Sequence, residues 1–176
     1  SVSPGYSISS SRLSSRFGKV VKHEISRGSF SGNLGAEEPL IVPALVEGHI
    51  QSYCMLDSGA TSQFIDLAFA QSHGLKLRKK KIPEEVIVVD GSFSSAGPLI
   101  YEVDLQLLID QHLENLTFQV TKLGNYAMIL GKTWLKRHNP QIDWALNTVN
   151  FGSGFCHAHC LPVRKIEPTK GTVSRP

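Results

Sequence analysis

The sequence predicts a mostly β domain, and three observations lead to that prediction. Apolar residues gather in short runs rich in valine, isoleucine and aromatic side chains, which favour strands over helices. Turn-forming residues such as glycine, proline and aspartate stand between these runs. The chain has 176 residues, of which 41% are hydrophobic, so it is long enough for one compact domain with its own core.

Composition divides the chain into three parts. Residues 1–35 are rich in serine, glycine and arginine and show little periodicity, so we expect a flexible lead-in. Residues 36–152 carry the strand signals and form the predicted folded domain. Residues 153–176 contain several prolines and are predicted to be a linker tail. Because no apolar run approaches the roughly 18 residues that span a bilayer, we expect no membrane contact.

Within the folded part, strands are predicted where an apolar or alternating run lies between turn signals. The clearest alternation places Val103 and Leu105 on one face and Glu102 and Asp104 on the other. Short helices are predicted where this alternation is lost, and the first of them stops at Gly74. The predicted strands are 40–46, 50–56, 86–89, 99–109, 116–120, 126–130 and 147–151, and the predicted helices are 66–73 and 133–138.

A carboxylate directly follows the second predicted strand. Asp57 is succeeded by Ser58 and Gly59, so a hydroxyl group lies beside the carboxylate and the glycine permits a sharp turn. Ala60 and Thr61 are small, which allows a tight, internally hydrogen-bonded loop. On its own, Asp-Ser-Gly is most simply interpreted as an Asx-turn. An active-site loop is the functional interpretation, and the rest of the chain has to decide between the two.

Two further segments supply that context. The first is a β-branched run that ends in a strong tight-turn signal, which predicts a hairpin, and it includes Val89, Asp90, Gly91 and Ser92. The second is an apolar triplet that ends in glycine just before the second predicted helix, and it consists of Ile129, Leu130 and Gly131.

Together with Asp57, these segments resemble the retropepsin-like aspartic proteases of retroviruses and LTR retrotransposons. In that family a catalytic loop, a flap hairpin and a glycine-ended triplet beneath the loop follow one another in the same order. The run from Trp134 to Trp144 is similar to the proteases of Ty3/gypsy-type retrotransposon Gag-Pol polyproteins. The resemblance covers the predicted domain, residues 36–152.

The resemblance implies a retropepsin-like closed β-barrel and an aspartic endopeptidase that processes the polyprotein from which it came. It assigns catalysis to Asp57, the active-site loop to residues 58–61, a substrate-covering flap to residues 89–92, and support of the loop to residues 129–131. Two carboxylates that share one proton activate a water molecule in this family, so neither a metal nor a cofactor is expected. The expected location is the cytoplasm, including virus-like particles inside the cell.

The chain carries a single Asp-Ser-Gly. Its other aspartates lie in predicted strands, helices or turns that do not fit a second catalytic loop. The resemblance therefore implies a C2 homodimer in which Asp57 of each chain meets its copy on the axis. Ser58 would then hydrogen-bond across the interface. The expected partners are a peptide or polyprotein substrate and a second copy of the chain.

Two other functions remain open at the level of sequence. A domesticated or decayed copy of a mobile element would leave a catalytically silent dimerisation or scaffold domain, although the intact motifs argue against decay. The net charge of +3 and the basic run 78–81 suggest contact with nucleic acid. We expect a solvated loop at that run instead, because no aromatic residues are interleaved with it.

The three cysteines fit a reducing compartment better than a disulfide scaffold. Cys54 and His49 would be a conceivable nucleophilic pair, but the apolar strand around Cys54 favours a merely buried thiol. The most metal-like segment is Cys156-His157-Ala158-His159-Cys160. Its four donors are crowded into one stretch, whereas structural zinc usually draws on two separated pairs. We therefore expect a solvent-exposed tail there and no metal.

Overall fold

The computed structural model describes residues 39–88 and 91–162. Its strands are β1 Ile41–Val46, β2 Ile50–Leu56, β3 Phe64–Asp66, β4 Arg78–Glu84, β5 Leu99–Ile109, β6 His112–Thr121, β7 Met128–Leu130, β8 Gln141–Asp143, β9 Thr148–Asn150 and β10 Leu161–Pro162. Its helices are α1 Leu67–Ser72, α2 Lys132–His138 and α3 Gly154–His159. The predicted mostly β class is confirmed. Within the described ranges, none of the helices has the length and apolar character needed to cross a bilayer.

Six of the strands close into a barrel. Neighbouring strands hydrogen-bond in the order β6, β3, β7, β2, β1 and β5, and the pairing of β5 with β6 closes the ring. That closing pair is antiparallel and long, running from Glu102 opposite Gln119 to Ile109 opposite His112. β4 and β10 extend the sheet at its two ends, and β8 and β9 form a separate two-stranded ribbon.

The core lies inside this barrel and follows from the alternation of the strands. In β5, Val103, Leu105 and Leu107 are buried, while Asp104 and Gln106 face water. Successive side chains of a strand point to opposite faces of the sheet, so an alternating sequence buries one row. Each buried aliphatic side chain of this kind stabilises the fold by roughly 1.5–3 kcal/mol.

The basic run 78–81 lies in a strand and not in the loop that we expected. β4 pairs antiparallel with β5, with Arg78 opposite Glu102. Arg78 donates hydrogen bonds to Glu102 and Asp104, and Lys80 Nζ lies 3.6 Å from Glu102 Oε2. The acidic outer face of β5 thus offsets the positive charge, and a strand at the end of a sheet can keep charged side chains in water.

The predicted linker tail begins too early, because α3 and β10 belong to the fold. The hydroxyl group of Ser153 caps α3 by accepting a hydrogen bond from the amide of Cys156 at 3.2 Å. β10 then pairs with β6. Cys156 and Cys160 are buried and not solvent-exposed as expected, since α3 packs against the end of α2. The predicted lead-in 1–35 and residues 163–176 lie outside the described residues.

Candidate active site

Asp57 is the first residue after β2, where the chain leaves the barrel sheet. Its amide donates to the carbonyl of Leu130 at 3.0 Å, and its own carbonyl accepts from the amide of Ala60 at 3.2 Å. Its Oδ1 accepts from the amide of Gly59 at 2.8 Å. This last bond is the Asx-turn that the motif predicts on its own. The turn holds the half-buried carboxylate in one orientation, so the two interpretations of the motif are compatible.

β7 determines where this loop sits, because it lies between the two strands that carry the loop. It runs parallel to β2, with Ile129 opposite Met55, and antiparallel to β3, with Ile129 opposite Phe64. Its last residue, Leu130, therefore ends directly beneath Asp57. The structure thus brings the predicted triplet and the predicted loop together, although they are far apart in sequence.

Gly131 packs against the loop more closely than any side chain would allow. A Cβ atom on Gly131 would lie 2.2 Å from the carbonyl oxygen of Ser62 and 2.5 Å from that of Ala60. Its φ of −95° is available to any residue, so glycine is needed here for space and not for backbone freedom. A contact this short with backbone atoms cannot be relieved by turning a side chain.

Helix α2 begins at this contact and fixes the far side of the loop. The amide of Lys132 donates to the carbonyl of Ala60 at 2.6 Å, and the amide of Thr133 donates to the carbonyl of Thr61 at 3.1 Å. The hydroxyl group of Thr133 donates to the same Thr61 carbonyl. The first amides of a helix have no partner within it, so the loop carbonyls satisfy them. Sequence analysis predicted the helix but not these bonds.

A hairpin lies between β4 and β5, where the flap was predicted. The amide of Ser94 donates to the carbonyl of Val86 at 2.7 Å, and the amide of Val88 donates to the carbonyl of Ser92 at 2.9 Å. Gly91 adopts a φ of +83°, which favours glycine. Instead of the predicted strand, the described residues here form only isolated bridge pairing, including that of Ile87 with Phe93. Val89 and Asp90 lie outside the described residues.

A small apolar cluster joins the base of this hairpin to the Asp57 loop. It contains Ala60 and Ile129, which the motifs predicted, and several residues that no motif indicated. These other residues lie in separate parts of the chain, so no contiguous pattern marks them. The buried members are Met55, Ala60, Phe64, Val86, Leu99 and Ile129, with Leu123 and Tyr126 packed against them.

Three other aspartates that the structure describes have structural tasks. Asp66 caps α1 by accepting from the amide of Phe69 at 3.1 Å, and its second oxygen accepts from the amide of Leu123 at 2.9 Å. Asp104 is bound by Arg78, and Asp143 accepts from amides of the turn that follows it. None of these carboxylates stands in a loop like that of Asp57.

Cys54 is a poor alternative nucleophile. Its side chain is fully buried in β2, and burial, aided by the negative charge of Glu114, raises the pKa of the thiol far above its usual range. A thiol that keeps its proton cannot attack a substrate. The ring of His49 instead contacts the carbonyl of Glu47 in its own turn, at 2.8 Å. The structure therefore does not support a Cys54–His49 pair.

Comparison with known proteins identifies the family. The family model described as the PEG10/RTL1 protease domain matches residues 53–160, a range that begins just before Asp57 and ends at Cys160. The chain belongs to this family. The PEG10/RTL1 protease-domain match thus includes α3, in agreement with its place in the fold. The closed barrel and the match to this family together confirm the predicted retropepsin-like fold.

Solved structures with a similar chain path include three proteases or protease-like domains. The retroviral protease-like domain of Ddi1 from Leishmania major is 19% identical, with a TM-score of 0.46 over 74% of this chain and 99% of that one. The EIAV protease in complex with an inhibitor is 11% identical, with a TM-score of 0.46 over 64% and 99%. A retropepsin-like aspartic protease from Rickettsia conorii is 20% identical, with a TM-score of 0.40 over 58% and 74%.

Proposed function

We propose that this domain is an aspartic endopeptidase that works as a homodimer with Asp57 as the catalytic residue of each chain. The substrate is a peptide segment of a retroelement polyprotein of the Ty3/gypsy type, cleaved inside the cell. Ser58, Gly59, Ala60 and Thr61 form the active-site loop. The residues from Val89 to Ser92 form the flap, and Ile129, Leu130 and Gly131 support the loop.

One observation carries this proposal: hydrogen bonds from or to the backbone hold Asp57 and its loop at three points. Leu130 binds its amide, Gly59 binds its side chain, and the start of α2 binds the loop beyond it. A surface turn with no function needs no such support. Catalytic groups do, because a reacting group misplaced by about 1 Å can cost roughly 100-fold in rate.

The proposal requires two chains. Peptide hydrolysis by this chemistry uses one carboxylate as general base towards water and a second, protonated one that polarises the scissile carbonyl. The described part of the chain supplies one such loop. A second copy related by a two-fold axis supplies the other, and the same patch on both subunits then forms the contact. The two carboxylates titrate as a pair, since like charges at close range cannot both ionise cheaply.

The flap hairpin and the small apolar cluster beneath it account for substrate binding. Val86 ties the base of the hairpin to Met55 and Ile129, so flap and catalytic loop share one wall. Phe93 is 39% exposed on the hairpin. An extended peptide lying between hairpin and loop would be screened from water, which strengthens the electrostatic interactions of the dyad.

The test is cleavage of a peptide library by the full chain at mildly acidic to neutral pH, with and without pepstatin. We expect Asp57→Asn to lower the rate by at least about 100-fold, the lower range for a lost general acid or base. The matched control is Asp110→Asn, because Asp110 is an exposed turn residue with a φ of +53°, which asparagine tolerates. If Asp110→Asn and Asp57→Asn cleave equally well, Asp57 is not catalytic.

Protein concentration tests the second half of the proposal. Activity of a dimer rises faster than linearly with concentration below the dissociation constant. If the protein sediments as a monomer and still cleaves at full rate, the requirement for two Asp57 loops is contradicted. A dimer that cleaves nothing would instead favour the alternative, a catalytically silent scaffold domain of the same fold.

A further inference from the structure

A second group of polar side chains lies at the opposite end of α2, inside the protein. His112 comes from β6, His138 from the end of α2, and Cys160 from the residue after α3. One ligand-capable atom from each of the three lies within 4.8 Å of the others. All three side chains are buried, with 6%, 1% and 5% of their surface exposed. Burial of three such groups together is costly unless something binds them.

His112 shows that the group is incomplete as it stands. Its Nε2 atom is buried and has no hydrogen-bond partner among the described residues. The ring is held firmly, stacked on Phe151 with centroids 4.2 Å apart and edge-on to His138 at 5.2 Å. An orphaned nitrogen of this kind costs about 1–3 kcal/mol. A cation bound to Nε2 would remove that cost.

His138 is oriented as metal-bound histidines usually are. Its Nδ1 lies 2.9 Å from the carbonyl oxygen of Trp134, a contact that fixes the ring and leaves Nε2, which is paired with Glu114, as the nitrogen that a cation could take. Nε2 lies 2.8 Å from a carboxylate oxygen of Glu114, whose other oxygen accepts from Trp134 Nε1 at 2.6 Å. A cation that replaced the proton at Nε2 would therefore find negative charge already in place.

A fourth donor and an access route are also present. Cys156 is buried one helical turn before Cys160 and lies beside the carbonyl of His138, with Sγ 3.7 Å from its oxygen. Cys156, Cys160 and His112 line one cavity of 210 Å³ together with Phe151 and the turn at Asp110. A metal ion could reach the group through this cavity.

We propose that His112, His138, Cys156 and Cys160 form a structural zinc site that fastens α3 to the barrel and to α2. Two imidazoles and two thiolates are a donor set that selects Zn²⁺ over harder cations. Ligand atoms around tetrahedral zinc lie roughly 3.5 Å apart, from bonds of about 2.0–2.3 Å. The ligand atoms of His112, His138 and Cys160, which lie within 4.8 Å of one another, therefore need to close by about 1 Å, and the Cys156 side chain has to turn towards them. Four protein ligands leave no open position, so the ion stabilises the fold and takes no part in peptide hydrolysis.

This ligand set differs from the crowded segment that the sequence suggested and that we expected to bind no metal. His157 and His159 are exposed, with His157 at the lining of the cavity and the His159 ring stacked on Phe155. The two cysteines of the segment instead face two histidines from β6 and α2. The cysteines thus form one pair and the histidines come from elsewhere in the fold, which satisfies the usual need for separated ligands.

Metal content and spectroscopy of the full chain test the proposal. The protein is stripped with a chelator, kept reduced with a phosphine and titrated with Zn²⁺ or Co²⁺. We expect about one Zn²⁺ per chain, a thiolate-to-Co²⁺ charge-transfer band with the visible bands of a tetrahedral ion, and a higher melting temperature with zinc. Cys160→Ser and His112→Gln should each weaken zinc binding by more than about 100-fold, since even outer-shell losses cost roughly 10–100-fold.

The matched control is His159→Gln, which removes an exposed imidazole from the same helix and should bind zinc like the wild type. Asp57→Asn should also bind zinc normally, so failure of this inference and failure of the protease proposal are distinguishable. Lack of zinc uptake by the reduced wild type would overturn the site, as would a cobalt spectrum without thiolate bands. The spectrum needs no variant, so misfolding of Cys160→Ser cannot hide the answer.

Discussion

Helix α2 has two very different ends. At its start, backbone groups of Gly131, Lys132 and Thr133 pack against the Asp57 loop, which lies near the surface. At its end, His138 is 1% exposed and stacks on Trp134 with ring centroids 4.3 Å apart. One end presents a polar group to solvent on a frame of backbone hydrogen bonds. The other buries polar side chains among aromatic rings.

The difference separates two ways of holding a reactive group. The Asp57 end uses main-chain atoms and one missing side chain, so it tolerates exchange of most neighbouring side chains but no change of backbone path. The His138 end uses side chains, each from a different element. It should therefore tolerate small shifts of the backbone but few substitutions of these residues. Substitutions at the two ends should therefore fail in different ways.

The largest effect is expected at Gly131. Gly131→Ala places a methyl group 2.2 Å from the Ser62 carbonyl oxygen, so the loop or the helix has to move. We expect the free energy of unfolding to fall by about 3 kcal/mol or more, the upper range for overpacking, with loss of any cleavage activity. Urea denaturation measures the first and a peptide assay the second. Gly152→Ala is the control, because its nearest non-neighbouring atom is 3.9 Å away; equal stability of the two variants would contradict the close contact.

The next effect is expected at Glu114, which serves the other end of α2. Glu114→Gln keeps an oxygen for Trp134 Nε1 but removes the charge beside His138 Nε2. We expect a loss of about 1–3 kcal/mol, the range for a disturbed buried hydrogen bond, in urea denaturation with chelator present. Cleavage per folded dimer should not change. A fall in activity without a fall in stability would show that the two ends are not independent.

A smaller effect is expected from the hydroxyl group at the start of α2. Thr133→Val removes the bond from Oγ1 to the Thr61 carbonyl but leaves the backbone amide bond to the same oxygen. Because the site is exposed and one bond remains, we expect a loss of about 0.5–1.5 kcal/mol. Thr133→Ser restores the donor and should recover most of it. If Val and Ser variants melt at the same temperature, the backbone alone holds the loop.

The smallest effect is expected at Asp104, on the barrel surface away from both ends. A hydrogen bond from Thr117, aided by Arg78, holds the pKa of the Asp104 carboxyl below its usual value. The unfolded chain then binds the proton more readily, so this stability is present above about pH 4 and is lost as the pH falls through the folded-state pKa. We expect at most about 1 kcal/mol, as for exposed pairs. Denaturation of wild type and Asp104→Asn at several pH values should show the difference shrinking in acid.

The sequence predicted best where structure is local. Strand 50–56, strand 99–109 and helix 133–138 agree with the observed elements to within a residue, because period-two alternation and a helical run need only neighbours. The Asp57 loop and its supporting triplet were found because each is a contiguous motif. The motifs did not predict the hydrogen-bond network between the loop and the triplet. In this network, main-chain atoms of Leu130, Lys132 and Thr133 bind the loop.

The other elements could not be predicted because they depend on contacts between residues that are distant in the sequence. β3 has three residues and exists as a strand only between β6 and β7. The basic run became β4 because Glu102 and Asp104 lay opposite it on β5. The place of α3 and the group around His138 depend on contacts between residues as far apart in sequence as His112 and Cys160. No local sequence pattern joins these residues. A search for separated histidines and cysteines would have suggested these residues but not their proximity.

The position of β4 at the end of the sheet bears on how copies of this protein can meet. An outermost strand leaves amides and carbonyls that another molecule could pair with, the usual start of fibre growth. Here Lys79 and Lys81 are exposed on that strand, and Pro83 lacks an amide proton. A second β4 alongside would set two rows of positive charge about 5 Å apart. This repulsion disfavours open-ended strand stacking at β4, so the proposed dimer would have to form through another face.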